Sequence, residues 1–239
     1  MSKKSTTDIK IDIVLSALNE SKNIEPIMNL AKDLATLLPI EKLIFVDNGS
    51  SDQTFEKLVS FKKRFPRLII LQNPSGASYS EGILTGLRFV TSQYFMSFHT
   101  DLQYDPKNFV VENEKIINDA IINKKNIIGK RTGRPLLDAF FGLLFKLFVR
   151  FYLKIKFFDY NGQPRIIQSK LDIKRLEPLR DFGIDIGVCA QFDEASFIEI
   201  SVKEKPRNIG ASSWNSSIFS RFLLIKSYLR ELKKIKYLK

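Results

Sequence analysis

The chain reads as an α/β domain, a mostly parallel sheet with helices on both faces, and three observations predict it. Short runs rich in Ile, Val, Leu and Phe alternate with segments whose apolar residues recur every three or four positions. The alternation repeats about every 30 residues, the size of a βαβ unit, which implies parallel strands joined through helices. Each apolar run also ends in a polar cluster, and ligands of such sheets bind at the carboxyl ends of the strands.

The strands expected are "IDIVLS" (11–16), "KLIFV" (42–46), "RLIIL" (67–71) and "YFMSF" (94–98). Their near-continuous apolar character fits strands buried on both faces. "NIEPIMNLAKDLATLL" (23–38), "DQTFEKLVSFKKRF" (52–65) and "SEGILTGLRFV" (80–90) read as the helices between them. Residues 1–8 are expected to be a disordered start, residues 9–215 one domain, and 216–239 a basic amphipathic C-terminal helix.

Composition limits the rest. The 239 residues are 44% hydrophobic and 27% charged, enough for a packed core with an ordinary soluble surface. A single cysteine, Cys189, excludes an internal disulfide and a Cys-rich zinc site and fits a reducing compartment. The polar start "MSKKSTTDIKID" lacks the apolar segment of a secretory signal.

The polar clusters after the strands are "ALNES", "DNGSSD", "QNPSGAS" and "HTDLQ". "DNGSSD" fits a turn followed by a helix cap from Asp52, and Asp47 at the strand end could also accept hydrogen bonds from a nucleobase or ribose. Gly76, Gly82 and Gly86 follow the third strand; they fit close helix packing or a backbone that approaches a phosphate. In "FHTDLQYDP" (98–106), His99, Asp101 and Gln103 alternate, so on an extended strand they would share a face and could ligate a metal. Asp101 could equally cap the helix that follows Pro106.

The order and spacing of these pieces resemble the family-two inverting glycosyltransferases of the GT-A (Rossmann-like) fold, especially the polyprenol-phosphate mannosyl- and glucosyltransferase branch. "VLSALNESKNI" is similar to that family's V-I-P-A-Y-N-E-x-x-N-I, with Ser16 and Leu18 in place of Pro and Tyr. "VDNGSSDQT" is similar to V-D-D-G-S-x-D-x-T, with Asn48 for the second Asp. "FHTDLQYDP" falls where the family has D-A-D-L-Q-x-P-P, so His99 stands for the first Asp. "IIGKRTGR", "DYNGQPRIIQSK" and "VKEKPRNIGASSW" resemble three later motifs, and the likeness covers about residues 9 to 215.

The resemblance implies a nucleotide-sugar donor, UDP- or GDP-linked, lying along Ala17, Asn19, Glu20, Asp47, Ser50, Gly76, Thr100 and Asp101. It implies a divalent cation, Mg²⁺ or Mn²⁺, at Asp101 with Gln103 and His99 beside it; oxygen donors suit such ions, and imidazole shifts the preference toward Mn²⁺. Asp101, Arg131, Asp185 and Arg207 are the implied catalytic residues. Arg131, Arg134, Gln163, Arg207 and Ser213 are the implied contacts to phosphate and acceptor, where a guanidinium fork gives bidentate contacts. Asp185 fits a helix cap as well. A hydroxyl acceptor needs a general base, whereas a phosphate acceptor is already anionic. With no strong base beyond Asp185, a polyprenyl phosphate is the acceptor expected, with a glycan or other hydroxyl as the alternative.

The net charge of +12 lies entirely in two segments, 130–156 and 221–239, each with seven Lys or Arg and one acid. In "LLDAFFGLLFKLFVRFYLKIK" (136–156), Asp138, Gly142, Lys146, Arg150 and Lys154 recur every four residues amid Leu, Phe, Val, Ile and Tyr. Charges interrupt the run too often for a transmembrane span. A wide apolar face with a cationic stripe suits an interfacial helix at an anionic membrane, and an ordinary core helix is the alternative. In the tail, Ile218, Phe222, Ile225, Leu229 and Leu232 are expected on one face. The chain is therefore expected to work in cell-envelope glycan synthesis, peripherally on the cytoplasmic face of a membrane. Nucleic-acid binding would place aromatics on an exposed sheet; here they sit in helical apolar faces, so no nucleic-acid partner is expected. A sugar-nucleotide binder without catalysis is the third alternative.

Overall fold

The computed structural model describes residues 9–133, 136–155, 159–181, 183–203, 205 and 218–238. Of the site residues inferred above, Arg134, Arg207 and Ser213 lie outside them. Among the described residues seven strands form one mixed sheet: β1 (Ile11–Ala17), β2 (Ile40–Asp47), β3 (Leu68–Gln72), β4 (Tyr94–Ser97), β5 (Asn126–Thr132), β6 (Arg165–Gln168) and β7 (Phe197–Lys203). Their order across the sheet is β3-β2-β1-β4-β6-β5-β7. The first four strands run parallel, and β6 runs antiparallel to both β4 and β5. The sheet is thus mostly parallel, flanked by helices, as the apolar runs predict.

Both faces are covered because both faces of the strands are apolar. One side packs α1 (Ile24–Leu37), α4 (Pro106–Glu112) and α5 (Glu114–Ile122) over Ile13, Leu15, Leu43 and Phe45. The other packs α3 (Tyr79–Leu87), α6 (Leu136–Leu153), α8 (Gly183–Cys189) and α9 (Ile218–Leu238) over Val14, Ile44, Phe95 and Ile167. Helices α2 (Thr54–Phe61) and α7 (Ile173–Leu176) complete the count among the described residues. Strand order reverses between β1 and β4, so their carboxyl ends form the crevice where such sheets take ligands.

Two glycine positions show how closely α3 lies on that crevice. A Cβ at Gly82 would sit 2.1 Å from Ser16 Oγ and 2.7 Å from the Asn48 amide, and one at Gly86 would sit 2.5 Å from Val14. The helix-packing reading of these two glycines therefore holds. Gly76 differs: its φ of +86° makes a turn, and open space surrounds the place of a Cβ.

Helix α6 joins the body of the domain by one side. Its body-facing residues are Phe145, Val149, Tyr152 and Leu153, with Gly142 and Lys146 half-buried beside them. Its outer face is apolar: Phe140, Phe141, Leu143, Leu144, Leu147 and Phe148 are exposed, and Leu136 and Phe151 are 89% and 75% exposed. Those exposures leave a helix that joins the core by one side and is apolar on the other. They also split the polar stripe, leaving Arg150 and Lys154 outside and Lys146 inside. Of the face expected in α9, Leu232 is buried and Leu229 exposed, and among the described side chains Glu231 and Ile235 are buried beside Leu232. The side chains of Ile218, Phe222 and Ile225 lie outside the described residues. No helix of the described residues is long and apolar enough to cross a membrane.

A methyl group at Gly82 must displace Ser16 or Asn48, and overpacking of this kind typically costs about 1–3 kcal/mol. Gly82→Ala is therefore expected to lower the melting temperature by on the order of 5 °C in calorimetry. An unchanged melting temperature would show that α3 can lift from the strand ends.

Candidate active site

The β1 and β2 loops are locked to each other by side chains that cap backbone N–H groups. Asn19, at φ +57°, donates its N–H to Ser50 Oγ at 2.9 Å, and its Oδ1 accepts from Ser51 N at 2.9 Å. Glu20 N donates to Thr54 Oγ1 at 2.9 Å, and Ser21 N to Asp52 Oδ2 at 3.1 Å. Asp52 also accepts from Thr54 N at 3.0 Å, but it stands one residue before the cap position expected of it, which Gln53 occupies without a side-chain cap bond.

Asp47 ends β2 fully buried beneath this loop pair. Its carboxylate accepts from Ser50 N at 3.2 Å, from the Ser50 hydroxyl, and from Gln72 Nε2 at 3.0 Å. Asn48, equally buried, donates from Nδ2 to Ser16 Oγ at 2.9 Å and to Ser78 O at 3.1 Å. Its Oδ1 accepts from Asn73 Nδ2 at 3.0 Å, and Asn73 in turn accepts from Thr85 at 3.0 Å. The contact to the Ser78 carbonyl requires a donor, which an ionised Asp could not supply. Gly49, at φ +74°, lets this loop touch the next one, since a Cβ there would lie 2.5 Å from Ser75 Cα.

After β4 the chain does not stay extended. The strand stops at Ser97, and residues 99–102 turn back, with Leu102 at φ +55° and its N–H reaching His99 O at 3.4 Å. The shared-face alternation expected of His99, Asp101 and Gln103 is therefore replaced by a turn. Asp105, not Asp101, caps the following helix by accepting from Asn108 N at 3.0 Å. Asp101 instead stays half-buried at the crevice and accepts from Gln103 N at 3.2 Å. Thr100 is buried against β1, its hydroxyl 3.4 Å from Ser16 O. His99 rests on Tyr79 with ring centroids 5.5 Å apart. Burial pushes its imidazole pKa down, opposed by the negative charges of Asp101 and Asp185. Among the described residues no three His, Cys, Asp or Glu side chains gather as a self-sufficient metal site. The donors present fit a cation shared between Asp101 and oxygens of a ligand, the usual arrangement for Mg²⁺ or Mn²⁺ on phosphates.

Behind the crevice lie two buried ion pairs. Arg131, at the end of β5, grips Asp159 with Nε–Oδ2 at 2.8 Å and Nη2–Oδ1 at 2.6 Å. Burial works against the Arg131 charge, but Asp159 more than offsets it and raises the arginine's pKa. Asp159 is held low by that guanidinium and by the charge of Lys146, against the effect of its own burial. Arg165, 2% exposed, donates to Asp185 Oδ1 at 2.8 Å and to the carbonyls of Tyr160 and Gly162 at 3.0 Å each. Burial raises the Asp185 carboxyl pKa, with Arg165 pulling the other way. The Tyr79 hydroxyl donates to Asp185 Oδ1 at 3.5 Å, and Asp185 Oδ2 is buried without a partner.

The inferred residues thus divide into two layers. Ala17, Asn19, Glu20, Asp47, Ser50, Thr100 and Asp101 gather around the β1–β4 crevice, and Gly76 lies on the adjoining exposed loop. Arg131 and Asp185 sit in the ion pairs behind it. Gln163 is wholly buried: oriented by its neighbours, its Nε2 donates to Ser97 O at 2.8 Å and its Oε1 accepts from Arg165 Nη2 at 3.0 Å. Sequence reasoning missed Tyr79, Asp159 and Arg165. The "DYNGQPR" motif contains two of them, but its spacing does not reveal the partners.

Comparison with known proteins agrees with this geometry. The sequence profile "Glycosyl transferase family 2" matches residues 12–168. A dolichol-phosphate mannosyltransferase of Pyrococcus furiosus is 22% identical over 123 residues, which are 51% of this chain and only 34% of that protein. The chain thus spans about a third of that relative's length. Glucosyl-3-phosphoglycerate synthase of Mycobacterium tuberculosis, in complex with UDP, superposes with a TM-score of 0.65 at 16% identity. That match covers 97% of this chain and 83% of the other. The same enzyme with Mn²⁺, UDP and glucosyl-3-phosphoglycerate gives 0.65 at 15% identity, over 97% and 82% of the two chains. These two likenesses fix the fold as GT-A. With the strand-end loops, the two acids at the crevice and the profile over most of the sheet, the chain belongs to glycosyltransferase family 2.

Proposed function

We propose that the protein transfers a hexose, with inversion, from a UDP- or GDP-linked donor to a polyprenyl phosphate. It does so while bound peripherally to the cytoplasmic face of a membrane, in the synthesis of cell-envelope glycans. The observation that carries the acceptor assignment is α6, whose apolar face points to solvent while Lys146 on its inner half helps hold Asp159 ionised beside Arg131. A lipid tail and an anionic headgroup match those two sides of one helix. The likeness to a dolichol-phosphate mannosyltransferase supports the same acceptor class.

The donor lies across the β1–β4 crevice, with Ala17, Asn19 and Glu20 along the nucleoside and Asp47 and Ser50 beneath the base and ribose. Asp101, with Gln103 and His99 beside it, would hold a divalent cation, whose charge would stabilise a diphosphate leaving group. Arg134 and Arg207 are the phosphate contacts, with Arg131 reaching a phosphate only through the part of its guanidinium that Asp159 does not engage, Ser213 on the acceptor side, and Gln163 acting from behind through Arg165. A phosphate nucleophile arrives already ionised, so no side chain need remove a proton. A second reading, a hydroxyl acceptor with Asp185 as base, is favoured by the unpartnered Asp185 Oδ2 and its raised pKa. Against it, Asp185 is only 3% exposed and already engaged by Arg165.

Incubation with radiolabelled UDP- and GDP-sugars, with polyprenyl phosphate, with a hydroxyl acceptor such as phosphoglycerate, or with neither, separates these readings. Labelled lipid supports the first, labelled phosphoglycerate the second, and tight donor binding without turnover leaves a non-catalytic binder.

Asp101→Asn is expected to abolish transfer in a folded protein. Asp47→Ala should weaken donor nucleotide binding several-fold by calorimetry; unchanged affinity would remove Asp47 from the donor site. His99→Asp adds a hard oxygen donor, so the ratio of activity in Mg²⁺ to that in Mn²⁺ should rise. An unchanged ratio would take His99 out of the cation site.

For the membrane, the protein should cosediment with anionic vesicles and release as salt rises, since each basic residue near such a surface adds on the order of 1 kcal/mol. Phe141→Asp and Phe151→Asp should reduce binding without changing donor affinity. Equal binding to neutral and anionic vesicles at every salt concentration would count against the charge argument.

A further inference from the structure

Helix α9 is the second strongly basic segment, yet its only acid is among its most buried residues. Glu231 is 1% exposed. Its Oε2 accepts the Arg180 backbone N–H at 2.7 Å, and its Oε1 accepts from Arg230 Nε at 3.1 Å and Lys234 Nζ at 2.9 Å. A Cβ at Gly183 would come within 2.8 Å of Glu231 Cβ, so α8 can begin this close only with glycine there. Asp185 lies two residues on. The same loop is tied down twice more, by Ser227 Oγ donating to Asp181 Oδ2 at 3.1 Å and Lys234 Nζ donating to Pro178 O at 2.8 Å.

One turn earlier, α9 holds the other loop. The Tyr228 hydroxyl accepts from Asn161 Nδ2 at 2.7 Å, and its ring packs on Phe145 of α6 with centroids 4.4 Å apart. Asn161 stands in the 159–162 turn, which supplies Asp159 to Arg131 and two carbonyls to Arg165. The two segments that build the buried ion pairs therefore share one external anchor, 67 residues from the first in sequence between Asn161 and Tyr228.

We propose that α9 is a clamp on the transfer site, with Glu231 and Tyr228 as positioning residues that fix Asp185, Arg165 and the Arg131–Asp159 pair. The clamp rests on the glycosyltransfer reading for its catalytic consequence, but not for its physical basis. When Glu231 is lost, the Arg180 N–H loses its acceptor and α8 its packing partner. When the Tyr228 hydroxyl is lost, Asn161, whose Oδ1 is already buried without a partner, loses its amide contact as well. Small displacements of this kind act on reacting geometry more than on ground-state donor binding.

The test uses the full chain carrying Glu231→Ala, Glu231→Gln or Tyr228→Phe, read by amide hydrogen exchange and by transfer kinetics. Glu231→Ala should deprotect residues 180–185, and Tyr228→Phe residues 159–162. Both should lower kcat on the order of tenfold or more with donor KM within about twofold. Glu231→Gln keeps an oxygen for the Arg180 N–H and should recover most of kcat. Unchanged exchange in both segments overturns the clamp, and opened segments with wild-type kcat overturn the positioning role. If the wild-type chain transfers no sugar, the glycosyltransfer reading fails by itself. Exchange then judges the clamp alone: protection lost only in those two segments supports it, and protection retained overturns it.

Discussion

A guanidinium with no water around it must have its N–H groups answered by protein, and Arg165 imposes that condition on half of the molecule. Its partners come from the 159–162 turn, from α8 and from the Gln163 amide that links it to the end of β4. None of these segments can drift without stranding a charge. Removing one member of a buried pair typically costs about 3–5 kcal/mol, far more than the pair itself contributes. The interaction is thus better understood as a specification than as a source of stability. It dictates where β6 must lie beside β4, and so where the crevice closes.

Around that constraint the charges are sorted by depth. Arg131 with Asp159 and Arg165 with Asp185 make the interior neutral behind the crevice. The surplus of basic residues is carried mainly on α6, α9 and their flanks, where solvent or an anionic surface can meet it. The outer face of α6 is the exception, since beside the exposed Arg150 it shows mostly exposed Phe and Leu. Because Lys146 turns inward, that apolar face and the ion pairs occupy opposite sides of a single helix.

Much of the sheet was legible because burial on both faces writes itself as uninterrupted apolar residues. β1 to β4 fall within about two residues of the expected runs, in line with the usual uncertainty of element ends. The loops after those strands were legible for the same reason, as abrupt polar clusters. What local pattern could not carry was pairing at a distance. Asp185 finds Arg165 twenty residues away, and Glu231 finds Arg180 fifty-one away. The turn at 99–102 was missed because nothing in Leu102 announces a left-handed backbone. Which side of α6 packs was not legible, because apolar residues cover nearly its whole circumference and periodicity gave no preferred side.

The Asn48 amide has a consequence for the order in which charges assemble. It sits at the floor of the crevice beside Asp47, bridging Ser16, Ser78 and Asn73 without a formal charge. His99, whose imidazole pKa burial pushes down, stands where the resembling family has another aspartate. The crevice therefore begins two negative charges poorer than that pattern. Under the glycosyltransfer reading, a diphosphate entering this crevice would meet two fewer negative charges than in that pattern.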